Sequence, residues 1–107
     1  MEFQKTQKDF DSITYTVIKI SEDELGLINM NEMKEYIDNE IESDNIYICI
    51  DLKKVNIINS SGLGILISIL KKVKSKSGNL KLLNASDKLL NIFKITKLNL
   101  VFELVNA

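Results

Sequence analysis

The chain contains no histidine, no arginine, no proline and no tryptophan, and one cysteine among 107 residues. Each absence removes a class of chemistry. Without histidine there is no Ser-His-Asp triad, and the commonest general base and metal ligand is missing. Cys49 stands alone, so an internal disulfide and a cysteine-based zinc site are both excluded. It lies inside an apolar run and reads as a small buried hydrophobe. All 14 positive charges are lysines, which excludes an arginine finger or a bidentate guanidinium clamp on phosphate. No apolar run approaches the roughly 18 residues that a membrane-spanning helix needs. The polar start, Met1-Glu2-Phe3-Gln4-Lys5, lacks the layout of a signal peptide. The expectation is a cytoplasmic protein that does not contact membrane, is not an enzyme and carries no cofactor.

What the chain does have is one domain's worth of ordinary globular sequence. Its net charge of -1 hides a segregation. Residues 1–50 carry 12 acids and 4 lysines, whereas residues 51–107 carry 3 acids and 10 lysines. A nucleic-acid-binding surface usually interleaves basic with aromatic or arginine side chains. Here the basic half has lysines alone, so no direct nucleic-acid partner is expected.

Periodicity supplies the elements. Phe3 to Lys8 suits an edge strand, and Ile13 to Ile20 is rich in β-branched and aromatic residues and reads as a strand. Asn29 with Glu32 three residues on has the layout of a capping box. Met33, Tyr36, Ile37 and Ile41 then follow at helical spacing. Ile46 to Ile50 is continuously apolar, as inner strands covered on both faces are. A second helix is expected from Ser60 or Ser61 to about Ser75, its core stripe being Leu63, Leu66, Ile67, Leu70 and Val73. Four lysines crowd its C-terminal end, and Gly78 is the expected terminator. Leu80 to Leu83 reads as a strand, Ser86 as the cap of a third helix, and Leu100 to Val105 as a closing strand. The order β-β-α-β-α-β-α-β implies right-handed parallel crossovers after an initial hairpin. The expected fold class is α/β: one domain over residues 1–107, with a mixed sheet of four or five strands and helices packed on it.

The most informative segment is Asn59-Ser60-Ser61-Gly62-Leu63-Gly64, which separates a strand from a helix. Backbone N–H groups at the start of a helix have no partner within it, so an anion, including a phosphate made on serine, is favoured there. Ser60 can equally be the N-cap, the ordinary task of serine at this position. Ser61 reads as a first-turn residue and a lesser candidate acceptor. Gly62 and Gly64 carry a helix-propensity cost of up to about 1 kcal/mol each relative to alanine. Bare backbone that lets another protein approach Ser60 accounts for that cost, and a tight turn is the plainer account. Ile65 and Ile69 fall off the expected core stripe, so they form a candidate docking patch.

These residues carry a resemblance. Ile48-Cys49-Ile50-Asp51-Leu52, then Val55 and Ile57, then Asn59-Ser60-Ser61-Gly62-Leu63-Gly64, with Leu90, Phe93, Leu98 and Phe102 in the tail, resemble a STAS domain. This is the fold of bacterial anti-sigma factor antagonists and of sulfate-transporter tails. The similarity is greatest to the small free-standing antagonists. The resemblance implies a cycle in which an anti-sigma factor that is also a serine kinase of the GHKL type phosphorylates Ser60. The unphosphorylated antagonist binds that kinase and frees the sigma factor, and a cognate serine phosphatase restores it. The candidate partner-binding residues are Asn59, Ser61, Gly62, Leu63, Gly64, Ile65 and Ile69. The alternative is a STAS interaction or scaffold module that regulates another protein without phosphorylation. Two departures stand out: Asn59 replaces the aspartate usual before that serine, and Gly26 falls where Asp23-Glu24-Leu25 would usually lead to aspartate.

Overall fold

The computed structural model describes residues 3–25 and 30–106. It opens on a hairpin of β1 (Phe3–Phe10) and β2 (Ile13–Ile20), paired antiparallel from Phe3↔Ile20 to Phe10↔Ile13. Asp11 and Ser12 form its two-residue turn with φ of 53° and 68°. Positive φ at both positions matches the twist of the flanking strands. The chain continues through β3 (Glu24–Leu25), α1 (Met30–Glu42), β4 (Tyr47–Asp51), β5 (Ile57–Ile58) and α2 (Ser60–Ser75). It closes through β6 (Asn79–Leu83), α3 (Asp87–Ile95), a 3₁₀ turn (Leu98–Leu100) and β7 (Glu103–Val105). The main sheet has five strands in the order β1-β2-β4-β6-β7. Every pairing but the first is parallel. The expected mixed sheet with helices packed on it is therefore present.

Alternation along the strands divides the buried residues. Ile18, Ile20, Ile48, Ile50, Leu80 and Leu82 point at the helices and meet Met33, Ile37, Ile41, Leu66, Val73, Leu89 and Phe93 in one apolar core. The other face holds a second cluster of Tyr15, Val17, Cys49 and Leu83, edged by Phe10, Tyr47 and Val105. All seven are strand residues. Cys49 is fully buried on the central strand, as its apolar setting predicts, and burial pushes its thiol pKa up to about 12. Lys81 is buried on this face too. Its ammonium donates to the Glu103 carboxylate and lies over the rings of Phe10 and Tyr15.

The segregated charges meet in space. Lys72 of α2 lies 3.0 Å from Glu42 and 3.4 Å from Asp38 of α1, while within the acidic half Lys5 of β1 lies 2.7 Å from Glu40. Both Glu40 and Glu42 are held below the ordinary carboxylate pKa, chiefly by the lysine hydrogen bonds.

Several expectations are corrected. The buried stripe of α2 is Gly62, Leu66, Ile69 and Val73. Ile69 is 1% exposed and belongs to the core, not to a docking flank. The helix is turned so that Leu63, Ile67 and Leu70 sit half-buried at the rim of the core. Apolar residues on nearly every side of α2 left its orientation open to periodicity. The terminator of α2 is Ser77, with φ of 66°, and not Gly78. Ser77 N donates to Lys74 O and Gly78 N to Val73 O, the paired bonds of a Schellman end. Gly78 serves close approach instead, because a Cβ there would lie 1.9 Å from the Ile46 carbonyl oxygen. The closing strand is shorter than expected. The Leu98 carbonyl accepts from both Val101 N and Phe102 N, which coils the chain until Glu103 and leaves Leu100 81% exposed. The expected cap Asn29 and the substituted position Gly26 lie outside the described residues.

Candidate functional site

The β4–β5 connection leaves the C-terminal end of the central strand and delivers the chain to the start of α2. Asn59, not Ser60, is the N-cap. Its backbone is extended (φ -102°, ψ -178°), and its side-chain oxygen accepts from Gly62 N at 3.0 Å. Its own carbonyl accepts from Leu63 N at 3.0 Å. An amide oxygen caps as well as a carboxylate does, and the first turn of α2 itself carries no acid.

With the cap assigned to Asn59, the side chains of Ser60 and Ser61 are released from that task. Both are exposed, and neither hydroxyl hydrogen-bonds to a described residue. Other serines in or capping helices differ: Ser68 Oγ donates to Ile65 O, Ser75 Oγ to Lys72 O, and the Ser86 cap Oγ accepts from Leu89 N. Ser60 is the first helical residue, so a phosphate on it would sit at the positive end of the helix dipole with no carboxylate in the first turn to oppose it. Chemically, the arrangement offers two free hydroxyls at a helix start. Among the described residues no neighbouring base activates either hydroxyl, and no group of metal-ligating residues exists.

The two glycines have different reasons. Gly62 is buried, and a Cβ on it would lie 2.6 Å from Leu25 O and 2.8 Å from Ile58 Cγ1. It is small because β3 crosses the first turn of α2 there. Gly64 is exposed, and a Cβ on it would meet nothing within 4 Å. No contact within the described chain requires glycine at 64. Leu63 and Ile65 are half-buried beside it, packed against the core edge. The structure thus brings Asn59, Ser60, Ser61, Gly62, Leu63, Gly64 and Ile65 together at one edge and withdraws Ile69.

Sequence reading missed the ribbon that supports this edge. β3 and β5 pair parallel, Glu24↔Ile57 and Leu25↔Ile58, as a separate two-stranded sheet. Ile57, two residues before Asn59, is 41% exposed and adds an apolar side chain to the surface. Strands of two residues carry no periodicity, and the paired β-branched residues Ile57-Ile58 were the one available signal.

The STAS domain family model matches residues 5–107. The anti-sigma-B factor antagonist of Listeria monocytogenes serovar 1/2a is 29% identical over 84 residues, covering 78% of this chain and 74% of that protein. The anti-sigma-B factor antagonist of Bacillus subtilis strain 168 is 40% identical over 53 residues, half of this chain and 49% of its own length. Among solved structures, the phosphorylated form of the Bacillus cell fate determinant SpoIIAA superposes with a TM-score of 0.71 at 20% identity, covering 99% of this chain and 91% of that one. With the model spanning β1 to the end of the chain and the same fold in SpoIIAA, the chain belongs to the STAS domain family.

Proposed function

We propose that this chain is an anti-sigma factor antagonist whose grip on its partner is switched by phosphorylation of Ser60. The observation that carries the reading is the exposed Ser60 hydroxyl at the start of α2, without a hydrogen bond among the described residues and freed from capping by Asn59. The names of the Listeria and Bacillus relatives support the same role. In this reading the chain is a substrate and a binding protein rather than an enzyme. Its partners are a GHKL-type serine kinase that is also the anti-sigma factor, and a serine phosphatase that reverses the modification. Ser61, Leu63, Gly64, Ile65 and the exposed Ile57 form the surface that meets the kinase.

The energetics suit a switch. A phosphate adds about -1.5 to -2 charges at pH 7. Against a helix N-terminus that charge favours the folded state by roughly 0.3–1 kcal/mol, so the fold survives modification. In a complex the same charge must be desolvated against the partner. A loss there of about 2–4 kcal/mol weakens affinity roughly 30- to 1,000-fold. The test is incubation with ATP and the cognate kinase, read by mass spectrometry. One phosphate on Ser60, abolished by Ser60→Ala and merely slowed by Ser61→Ala, is the expected result. Phosphate confined to Ser61 would move the site by one residue. A stable complex without any phosphorylation would make the chain a constitutive interaction module.

A further inference from the structure

We propose that Asp23 and Asn56 form a surface latch that positions Ser60 for phosphorylation; the inference rests on the function proposed above and adds two residues to it. The Asp23 carboxylate accepts from the Asn56 side-chain amide across 33 positions of sequence. The main chain of Asp23 reinforces the pairing, because its carbonyl accepts from Asn56 N at 2.8 Å and from Ile57 N at 3.2 Å. Two residues on, the Leu25 carbonyl accepts from Asn59 N at 3.1 Å. That same carbonyl oxygen is the atom that a Cβ at position 62 would strike. The turn that presents Ser60 is therefore held on its upstream side by Asp23 and Leu25 and on its downstream side by the Asn59 cap on Gly62.

The latch is placed where it can order the turn without serving the core. Asp23 and Asn56 are both exposed. The ribbon they clamp has two residue pairs, and an isolated two-stranded pairing is marginal by itself. Leu25 and Ile58 anchor it from below, 1% and 5% exposed; the latch closes it from above. In the reaction, Ser60 Oγ attacks the γ-phosphorus of ATP, its proton passes to a kinase base and ADP departs. A nucleophile whose loop wanders reaches that geometry less often, so loss of the latch falls chiefly on turnover.

Hydrogen exchange on the free protein and phosphorylation by the cognate kinase test this together, using Asp23→Ala, Asn56→Ala and the exchanged pair D23N/N56D. Both alanine variants are expected to speed exchange at the amides of Asn56, Ile57 and Asn59 about tenfold, with Ile48 to Ile50 unchanged. Their kcat for Ser60 phosphorylation is expected to fall about 3- to 10-fold at a KM within about twofold of the original. D23N/N56D, which reverses donor and acceptor, is expected to restore both. Unchanged exchange overturns the latch whatever the kinase does. Faster exchange with unchanged kcat, or a raised KM that D23N/N56D does not rescue, overturns its positioning role while leaving the Ser60 switch intact. An original chain that the kinase leaves unmodified overturns the switch itself, and the role given to the latch falls with it.

Discussion

Replacing Gly62 and Gly64 by alanine, one at a time, should move stability in opposite directions. Both lie in the first turns of α2, where alanine is favoured over glycine by up to about 1 kcal/mol. At Gly64 the new methyl meets nothing within 4 Å, so that preference is realised. For a domain of this size 1 kcal/mol corresponds to about 4 °C in Tm. Gly64→Ala should therefore raise Tm by roughly 2–4 °C. At Gly62 the methyl would sit 2.6 Å from Leu25 O. That oxygen is main chain, bonded to Asn59 N in a ribbon of two residue pairs, and cannot retreat without opening it. Overpacking of this kind costs about 1–3 kcal/mol or more, which exceeds the propensity gain. Gly62→Ala should lower Tm by up to roughly 10 °C. Thermal melts followed by far-UV circular dichroism measure both. The proposed function adds a second readout: Gly64→Ala, although more stable, should bind the kinase more weakly, because it places a methyl on the proposed docking surface beside Ser60. A Gly62→Ala protein as stable as Gly64→Ala would refute the packing argument. Full-strength kinase binding by Gly64→Ala would remove Gly64 from the interface.

Other consequences are open to measurement. Removing the cap with Asn59→Ala should cost about 1 kcal/mol in urea unfolding, whereas Asn59→Asp keeps the acceptor, adds charge at a helix start and should match or exceed the original by up to about 1 kcal/mol. Glu40 and Glu103 are held below their ordinary pKa of 4.5 by hydrogen bonds from Lys5 and Lys81. Their contribution is complete above that pH and is lost as pH falls through the lowered values, so Tm should drop below about pH 4.5, and the drop should be shallower in Glu103→Gln. The raised pKa of Lys81 acts at the other limb: its contribution is complete below 10.5 and is lost as pH climbs through the raised value. Buried Cys49, with its thiol pKa near 12, should react with a disulfide reagent at pH 8 only as fast as the protein unfolds. Fast labelling of the folded protein would contradict its burial.

Local pattern determined a large share of this molecule. The β-branched run Ile13 to Ile20, the apolar run into Asp51 and the cap at Ser86 each specify an element through contacts within a few residues, and each appears where periodicity places it. The Asn59-to-Gly64 segment was legible as a helix start for the same reason. Tertiary structure decided what these local signals left degenerate. Ile69 and Leu63 are both apolar on a helix apolar around most of its girth, and the sheet beneath selects which one is buried. Asn59 and Ser60 are both competent caps, and the bond from Asn59 N to Leu25 O selects Asn59 by holding its backbone extended. Gly62 and Gly64 look alike in sequence; the passage of β3 across one and not the other separates a packing glycine from a surface one. The Asp23–Asn56 pair spans 33 positions, a distance over which no periodicity links two polar side chains and at which folding alone brings them together.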